Sequence, residues 1–380
     1  MNGKDQPPRS RQPAEGDLLD RRQFLCRSAH GAAMVAAGLG STGAPAARRA
    51  PAKDTPPAGA KQPPPIALIY GEIFKKHQTG QWHPERPQRC EAIVRRLAKA
   101  DLAERIKRLQ PRGAADKDIL ACHAAKYLAQ VRADIAAGRE SLTTGDTAVC
   151  AQSLRVALHA AGGACQAVDE VVAGRFRNAF CVVRPPGHHA TKVRGMGFCM
   201  FNNVAIAARY AQRRHRIGKV LIADWDVHHG NGTQDIFYDD PSVFYFSTHQ
   251  WPWYPGTGRA DQTGAGKAKG TTLNCPLPAG SGRKQIVGAF QNKLVPAARK
   301  FKPDLVLLSA GFDSRKGDPL GRFLLDDKDF ADLTGIMLAI AAEQARGRLV
   351  SILEGGYDLD GLASASAAHC RALASAARHP

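Results

Sequence analysis

Several features are missing from this 380-residue sequence, and each absence removes a class of protein. No apolar stretch reaches the roughly 18–20 uncharged residues of a membrane span, which excludes a polytopic membrane protein. The nine cysteines (Cys26, Cys90, Cys122, Cys150, Cys165, Cys181, Cys199, Cys275 and Cys370) include no C-x-x-C pair, so a zinc knuckle and a thioredoxin-like redox motif are excluded. Most sit among apolar neighbours and read as small buried hydrophobes. Aromatic residues are only 7% of the chain, and the basic residues are dispersed rather than gathered with aromatics. A nucleic-acid partner is therefore not expected. Acidic residues are also few: 34 Asp+Glu stand against 53 Lys+Arg, a net charge of +19. There is no internal repeat.

The 44% of hydrophobic residues that are present can bury a sizeable core, which excludes a disordered or collagen-like chain. The length exceeds the roughly 100–200 residues of an average domain, so it fits either two domains or one large α/β domain. Residues 1–65 differ from the rest: they hold 10 of the 24 prolines, and ten Lys/Arg against five Asp/Glu, which is +5 of the total charge. So few large apolar residues cannot offset the entropy of ordering, and no fixed structure is expected there. Within this tail Arg21-Arg22-Gln23-Phe24-Leu25 precedes a weakly apolar run over 29–47, in which Ala44-Pro45-Ala46 offers a small-residue cleavage site. The order resembles a twin-arginine signal over 1–47, read by a translocase of folded proteins, followed by a Pro-rich linker over 48–65. It implies export to a bacterial periplasm or beyond; a basic arm with a chance Arg-Arg pair is the alternative.

From residue 66 short apolar runs alternate with amphipathic stretches. The runs are 66–70, 179–183, 220–223, 243–246, 305–309 and 349–353; they do not alternate in polarity, as expected of strands buried on both faces of a parallel sheet. Helical periodicity falls at 88–97, 153–172, 203–214, 284–301 and 327–344. Helices between successive strands imply right-handed crossovers and a doubly wound sheet. The expectation is a single three-layer α/β/α domain over 66–380 with a mostly parallel central sheet.

Such sheets bind ligands beyond the carboxyl ends of their strands. Four runs lead there into Arg184-Pro185-Pro186-Gly187-His188-His189, Asp224-Trp225-Asp226-Val227-His228, Ala310-Gly311-Phe312-Asp313 and Glu354-Gly355-Gly356-Tyr357. In an extended chain, spacing of two residues points Asp224, Asp226 and His228 to one side. Asp226 and His228, with Asp313 from another strand end, make a mixed nitrogen–oxygen set suited to Zn²⁺ with an open position for water. The vicinal His188-His189 pair suits general acid/base work.

These strings resemble the histone deacetylase and acetylpolyamine amidohydrolase family, of the arginase–deacetylase fold. The match rests on R-P-P-G-H-H-A (184–190), G-F-C-x-F-N-N (197–203), D-x-D-V-H-H-G-N-G-T (224–233) and Y-P-G-T-G (254–258). It extends to S-A-G-F-D (309–313), G-D-P-L-G (317–321), E-G-G-Y-D (354–358) and H-P-E-R-P-x-R (83–89), in order over residues 66–370. Asn231 and G-D-P-L-G lean it towards the class II and bacterial branch.

By motif, the resemblance implies zinc on Asp226, His228 and Asp313, with His189 as general base and acid. His188 would be an electrostatic histidine partnered by Asp224, Asn231 would orient His189, and Tyr357 would donate to the oxyanion. Gly355-Gly356 would let that tyrosine approach the substrate. Gly197, Phe198 and Tyr254 would wall a narrow acyl-lysine tunnel, Leu320 would sit at its rim, and Asp146 would grip substrate amides. The carbonyls of Asp224, Asp226 and His228, with Ser247 and Thr248, would hold potassium. Asn231 replaces an aspartate of many members, so the orienter of His189 is neutral; Leu320 replaces the glutamate of a polyamine-selective subgroup.

The implied substrate is a small-molecule or peptide acyl-amine. An arginase-like two-metal hydrolase is the alternative enzyme, and would need further carboxylates and histidines. A homo-oligomer is compatible with the sequence, which does not specify one.

Overall fold

A computed structural model describes residues 66–100 and 102–375. The twin-arginine signal and the linker lie outside the described residues. Eight strands form one sheet: β1 (Ile66–Ile69), β2 (Ile106–Leu109), β3 (Asn178–Cys181), β4 (Val220–Asp224), β5 (Val243–Gln250), β6 (Thr272–Leu277), β7 (Leu305–Ala310) and β8 (Leu349–Leu353). Their order is β2-β1-β3-β8-β7-β4-β5-β6, and every pairing is parallel.

The six expected strands, β1, β3, β4, β5, β7 and β8, occupy the interior of the sheet. The two that hydropathy does not announce, β2 and β6, are its edges. An edge strand is covered on fewer sides and can carry polar residues. Thus β2 reads Ile-Lys-Arg-Leu with both charged residues exposed, and β6 tolerates Pro276, whose missing N–H costs no ladder bond on an open side. Strand β5 runs four residues beyond its apolar stretch, through Ser247-Thr248-His249-Gln250, because β6 continues to pair with it there.

The helices that cover the sheet include α1 (Gln88–Ala98), α2 (Ser153–Val172), α3 (Asn203–His215), α4 (Asp327–Gln344) and α5 (Leu359–Ala374). The stretch expected as one helix over 284–301 is instead helical at Arg283–Ala289 and Val295–Phe301, with a π-helical turn at Phe290–Leu294 between them. Pro296 supplies the reason: it has no N–H for the carbonyl four residues back, and a wider turn absorbs the lost bond. Between the sheet and these helices Trp225 is fully buried against Phe290, Phe312, Phe330 and His369. Seven of the eight described cysteines are buried and all eight are free, as their apolar surroundings suggest.

Candidate active site

The four loops singled out from the sequence leave β3, β8, β7 and β4, and these strands are consecutive neighbours in the sheet. Their carboxyl ends therefore open onto one place. Asp226, His228 and Asp313 meet there with one donor atom each, all within 4.8 Å of one another. His228 Nδ1 stands 3.0 Å from Asp226 Oδ1 and 3.1 Å from Asp313 Oδ2.

The way this trio assembles differs from the expected extended strand. β4 ends at Asp224, and the chain then turns: the Asp226 N–H donates to Asp224 Oδ1 (3.1 Å) and the His228 N–H to Asp226 Oδ1 (2.9 Å). Each carboxylate thus holds the backbone two residues on, the local bonding to which aspartate is suited. Two further amides orient the pair, Gly355 N–H to Asp226 Oδ2 (2.8 Å) and Val227 N–H to Asp313 Oδ1 (2.9 Å).

Burial, and then the Asp226 carboxylate, push the Asp313 carboxyl up to about 7. Burial opposes protonation of His228, but its bonds to Asp226 and Asp313 outweigh that and raise it to about 10. Two buried carboxylates facing one imidazole nitrogen suit a divalent cation. Ligands about 2.0–2.1 Å from a tetrahedral zinc stand roughly 3.3 Å apart, close to the spacing found here. Among the described residues no second group of three such side chains occurs, so the two-metal alternative finds no second site there.

Beside the trio the vicinal histidines are driven in opposite directions. His189 Nδ1–H donates to Asn231 Oδ1 (2.8 Å), which leaves Nε2 as the basic nitrogen. Burial, then the neighbouring His188 and His228, hold its pKa well below the usual value. His188 Nδ1–H donates to Asp224 Oδ2 (3.0 Å), which Tyr245 O–H also reaches. Burial alone would depress His188, but the Asp224, Asp226 and Glu354 carboxylates raise it to about 10. An imidazole driven toward its neutral form and one driven toward its charged form stand side by side, their ring centres 4.0 Å apart.

The Tyr357 ring lies edge-on to Phe198 at 5.9 Å, with the Arg89 guanidinium 4.8 Å over its face. Burial raises its phenol well above the usual value, so it remains a proton-bearing donor. Tyr254 turns its ring edge to His189 at 5.2 Å. Gly197 has φ +57, and a Cβ there would stand 2.4 Å from His189 Cδ2; Phe198, a non-glycine, shares the left-handed region at φ 67. Such a conformation persists in a bulky residue only where its surroundings impose it. Asp146, exposed, accepts from Gly197 N–H (2.6 Å) and Tyr254 O–H (3.1 Å), and so fastens the Gly197 and Tyr254 segments to one another. The Leu320 carbonyl accepts the Trp253 indole N–H (2.9 Å). Ser247 Oγ pairs with His249 Nδ1, and the buried Thr248 hydroxyl has no partner among the described residues.

Five residues to which the sequence reading gave no role hold this site together. Glu354 Oε2 accepts from both Gly187 N–H (2.6 Å) and His188 N–H (3.1 Å), and Oε1 from the Ser309 hydroxyl (3.1 Å). Asp318 Oδ2 accepts Tyr357 N–H (2.6 Å) and Asp358 N–H (3.2 Å). Arg89 donates to Glu85 and to the carbonyls of Glu354 and Gly356, while Arg184 grips Glu85 through both Nε and Nη2. The available signal was at least one charged residue inside each of four motifs, 83–89, 184–190, 317–321 and 354–358.

The histone deacetylase domain family matches residues 83–373. "Histone deacetylase 10, chloroplastic" of Oryza sativa subsp. japonica is 43% identical over 309 residues, covering 77% of this chain and 69% of that one. "Polyamine deacetylase HDAC10" of Homo sapiens is 41% identical over 295 residues, 73% of this chain and 43% of the relative. Among solved structures, the crystal structure of the HDA15 HD domain gives a TM-score of 0.77 at 37% identity, covering 83% of this chain and 90% of that one. A domain match over most of the chain, and an α/β fold shared with a relative of that identity, lead to one conclusion: the chain belongs to the histone deacetylase family and is a hydrolase of amide bonds.

Proposed function

We propose that the protein hydrolyses the amide of an N-acyl amine, an acyl-lysine peptide or an acetylated small amine, with zinc held by Asp226, His228 and Asp313. The observation that carries this reading is the buried Asp–His–Asp donor trio beside a neutral histidine and a phenol. Bound zinc would polarise the acyl carbonyl and acidify water, which makes hydrolysis accessible at neutral pH. His189, fixed through Nδ1 by Asn231, presents Nε2 to take a proton from water and later return it to the leaving amine. His188, tied to Asp224, keeps a positive charge near the developing negative charge. Tyr357 donates its O–H to the oxyanion, while the Asp318 carboxylate fixes its backbone amide.

Acetate release by the zinc-loaded protein from acetyl-lysine peptides and acetylated diamines tests this reading. Turnover is expected to vanish with chelator and return with zinc. No turnover on any acyl-amine of the panel overturns it. The partnerless Thr248 hydroxyl supports a companion proposal, a potassium ion held by the carbonyls of Asp224, Asp226 and His228 with Ser247 and Thr248. Activity in sodium against potassium buffers tests that site. Export through the twin-arginine pathway remains a proposal from the sequence, tested by replacing Arg21-Arg22 with Lys-Lys and following the protein's compartment.

A further inference from the structure

Ahead of α1 the chain carries a tryptophan that the described residues leave uncovered. Trp82 is 87% exposed, the most exposed of the large hydrophobic side chains described. It sits at the apex of a turn in which the His83 N–H reaches back to the Gly80 carbonyl, with Gly80 at φ +106. The base of the turn is fixed. The Thr79 hydroxyl donates to the Glu85 carbonyl, the Glu85 N–H donates to His83 Nδ1 (3.1 Å), and the Glu85 carboxylate is clamped by Arg184 and Arg89. The residue after Trp82 belongs to the active-site wall: the His83 ring meets Phe198 edge-on at 4.7 Å, and Phe198 in turn meets Tyr357. A preformed turn therefore displays a bare indole one residue from the wall of the reaction site.

The wall carries charges of both signs. Arg322 lies with its guanidinium 5.4 Å from the Trp253 ring, and Arg194 acts on the Tyr254 phenol. Asp146 accepts from Gly197 N–H and Tyr254 O–H, neutral donors that leave its carboxylate charge in place. An exposed cation–π contact between the indole and an ammonium group is weak. A neutral aromatic or aliphatic body would instead cover the indole and release its water at little ordering cost, because the turn is rigid beforehand.

Resting on the acyl-amine hydrolase reading, we propose that Trp82 is a specificity-determining residue: a platform for the amine-side portion of the substrate that favours amides of aromatic amines over amides of short alkyl amines. The test uses the full-length zinc-loaded protein with N-acetyl phenylbutylamine, N-acetyl butylamine and N-acetyl putrescine. The wild type is expected to prefer the phenyl amide in kcat/KM. Trp82→Ala is expected to lower the phenylbutyl-to-butyl ratio about tenfold, the scale of one good aromatic contact, and Trp82→Phe to retain most of it. An unchanged ratio in Trp82→Ala, or a wild-type preference for the putrescine amide, overturns the inference. Turnover of none of the three, and of no acetyl-lysine peptide either, overturns the hydrolase reading. The inference then stands or falls on a second readout, the emission difference between wild type and Trp82→Phe, which must respond to the phenyl amide and not to the butyl amide.

Discussion

Gly355 lies so close to Asp313 that a Cβ built on it would stand 2.0 Å from the carboxylate Oδ2. Gly311 has the same relation to Asp226 Oδ2, also at 2.0 Å. These two glycines are spaces the donor trio fills, rather than hinges for the tyrosine; of the pair 355–356 only Gly356 uses a left-handed φ, at +117. Gly311→Ala and Gly355→Ala are therefore expected to displace a carboxylate and lose metal. Zinc content after gel filtration should fall well below one ion per chain, with turnover falling in proportion. Gly335, in the middle of α4 with nothing within 4 Å of a Cβ, is the control: Gly335→Ala should keep its metal and gain up to about 1 kcal/mol.

His189→Ala should lower kcat by about 10²–10⁴-fold, the usual worth of a positioned base, with metal content unchanged. Asn231→Asp tests the geometry behind that role. An anionic partner on Nδ1 favours the imidazolium and raises the pKa of His189, so the acidic limb of the kcat/KM profile should move to higher pH. An unmoved limb would show that another group titrates there.

Tyr357→Phe should cost about 10²–10³-fold in kcat, as for loss of one oxyanion donor. Asp318→Asn leaves the phenol intact but replaces the carboxylate oxygen on which the amides of Tyr357 and Asp358 converge. Its expected signature is a smaller fall in kcat with KM nearly unchanged. A fall confined to KM would instead assign Asp318 to substrate binding.

Glu354→Gln removes an acceptor oxygen shared by two backbone amides and puts an amide of its own against them or against Ser309. Because the loop it holds carries both histidines, the variant should fold and bind zinc yet lose at least tenfold in kcat. Retention of full activity would reduce Glu354 to a structural residue.

His369 sets a pH dependence far from the chemistry. Its ring nitrogens pair only with the hydroxyls of Thr334 and Ser351 among aromatic rings, and burial drives its pKa down to about 3. The unfolded chain binds this proton near pH 6.5 and the native protein does not until about 3. Stability should therefore be full above pH 6.5 and fall as pH drops across that window, with a slope approaching about 1.4 kcal/mol per pH unit from this residue. Thermal melts of the wild type and His369→Gln from pH 7 to 4 check it; the variant should lose that part of the slope.

The sequence by itself determined the interior of the sheet, the ends of α2 and α4, and the trio Asp226, His228 and Asp313. Short apolar runs between helical patterns read as buried strands, and the carboxyl ends of parallel strands open on one edge. What it did not show were β2 and β6, because an edge strand need not be apolar on both faces. Tertiary structure alone decided that the loops of β3, β8, β7 and β4 are neighbours, since strand order is not written in chain order. It also decided what Glu85, Arg89, Arg184, Asp318 and Glu354 do. Arg89 and Glu354, 265 residues apart, meet only after folding, and a buried charge acquires its role from its partners.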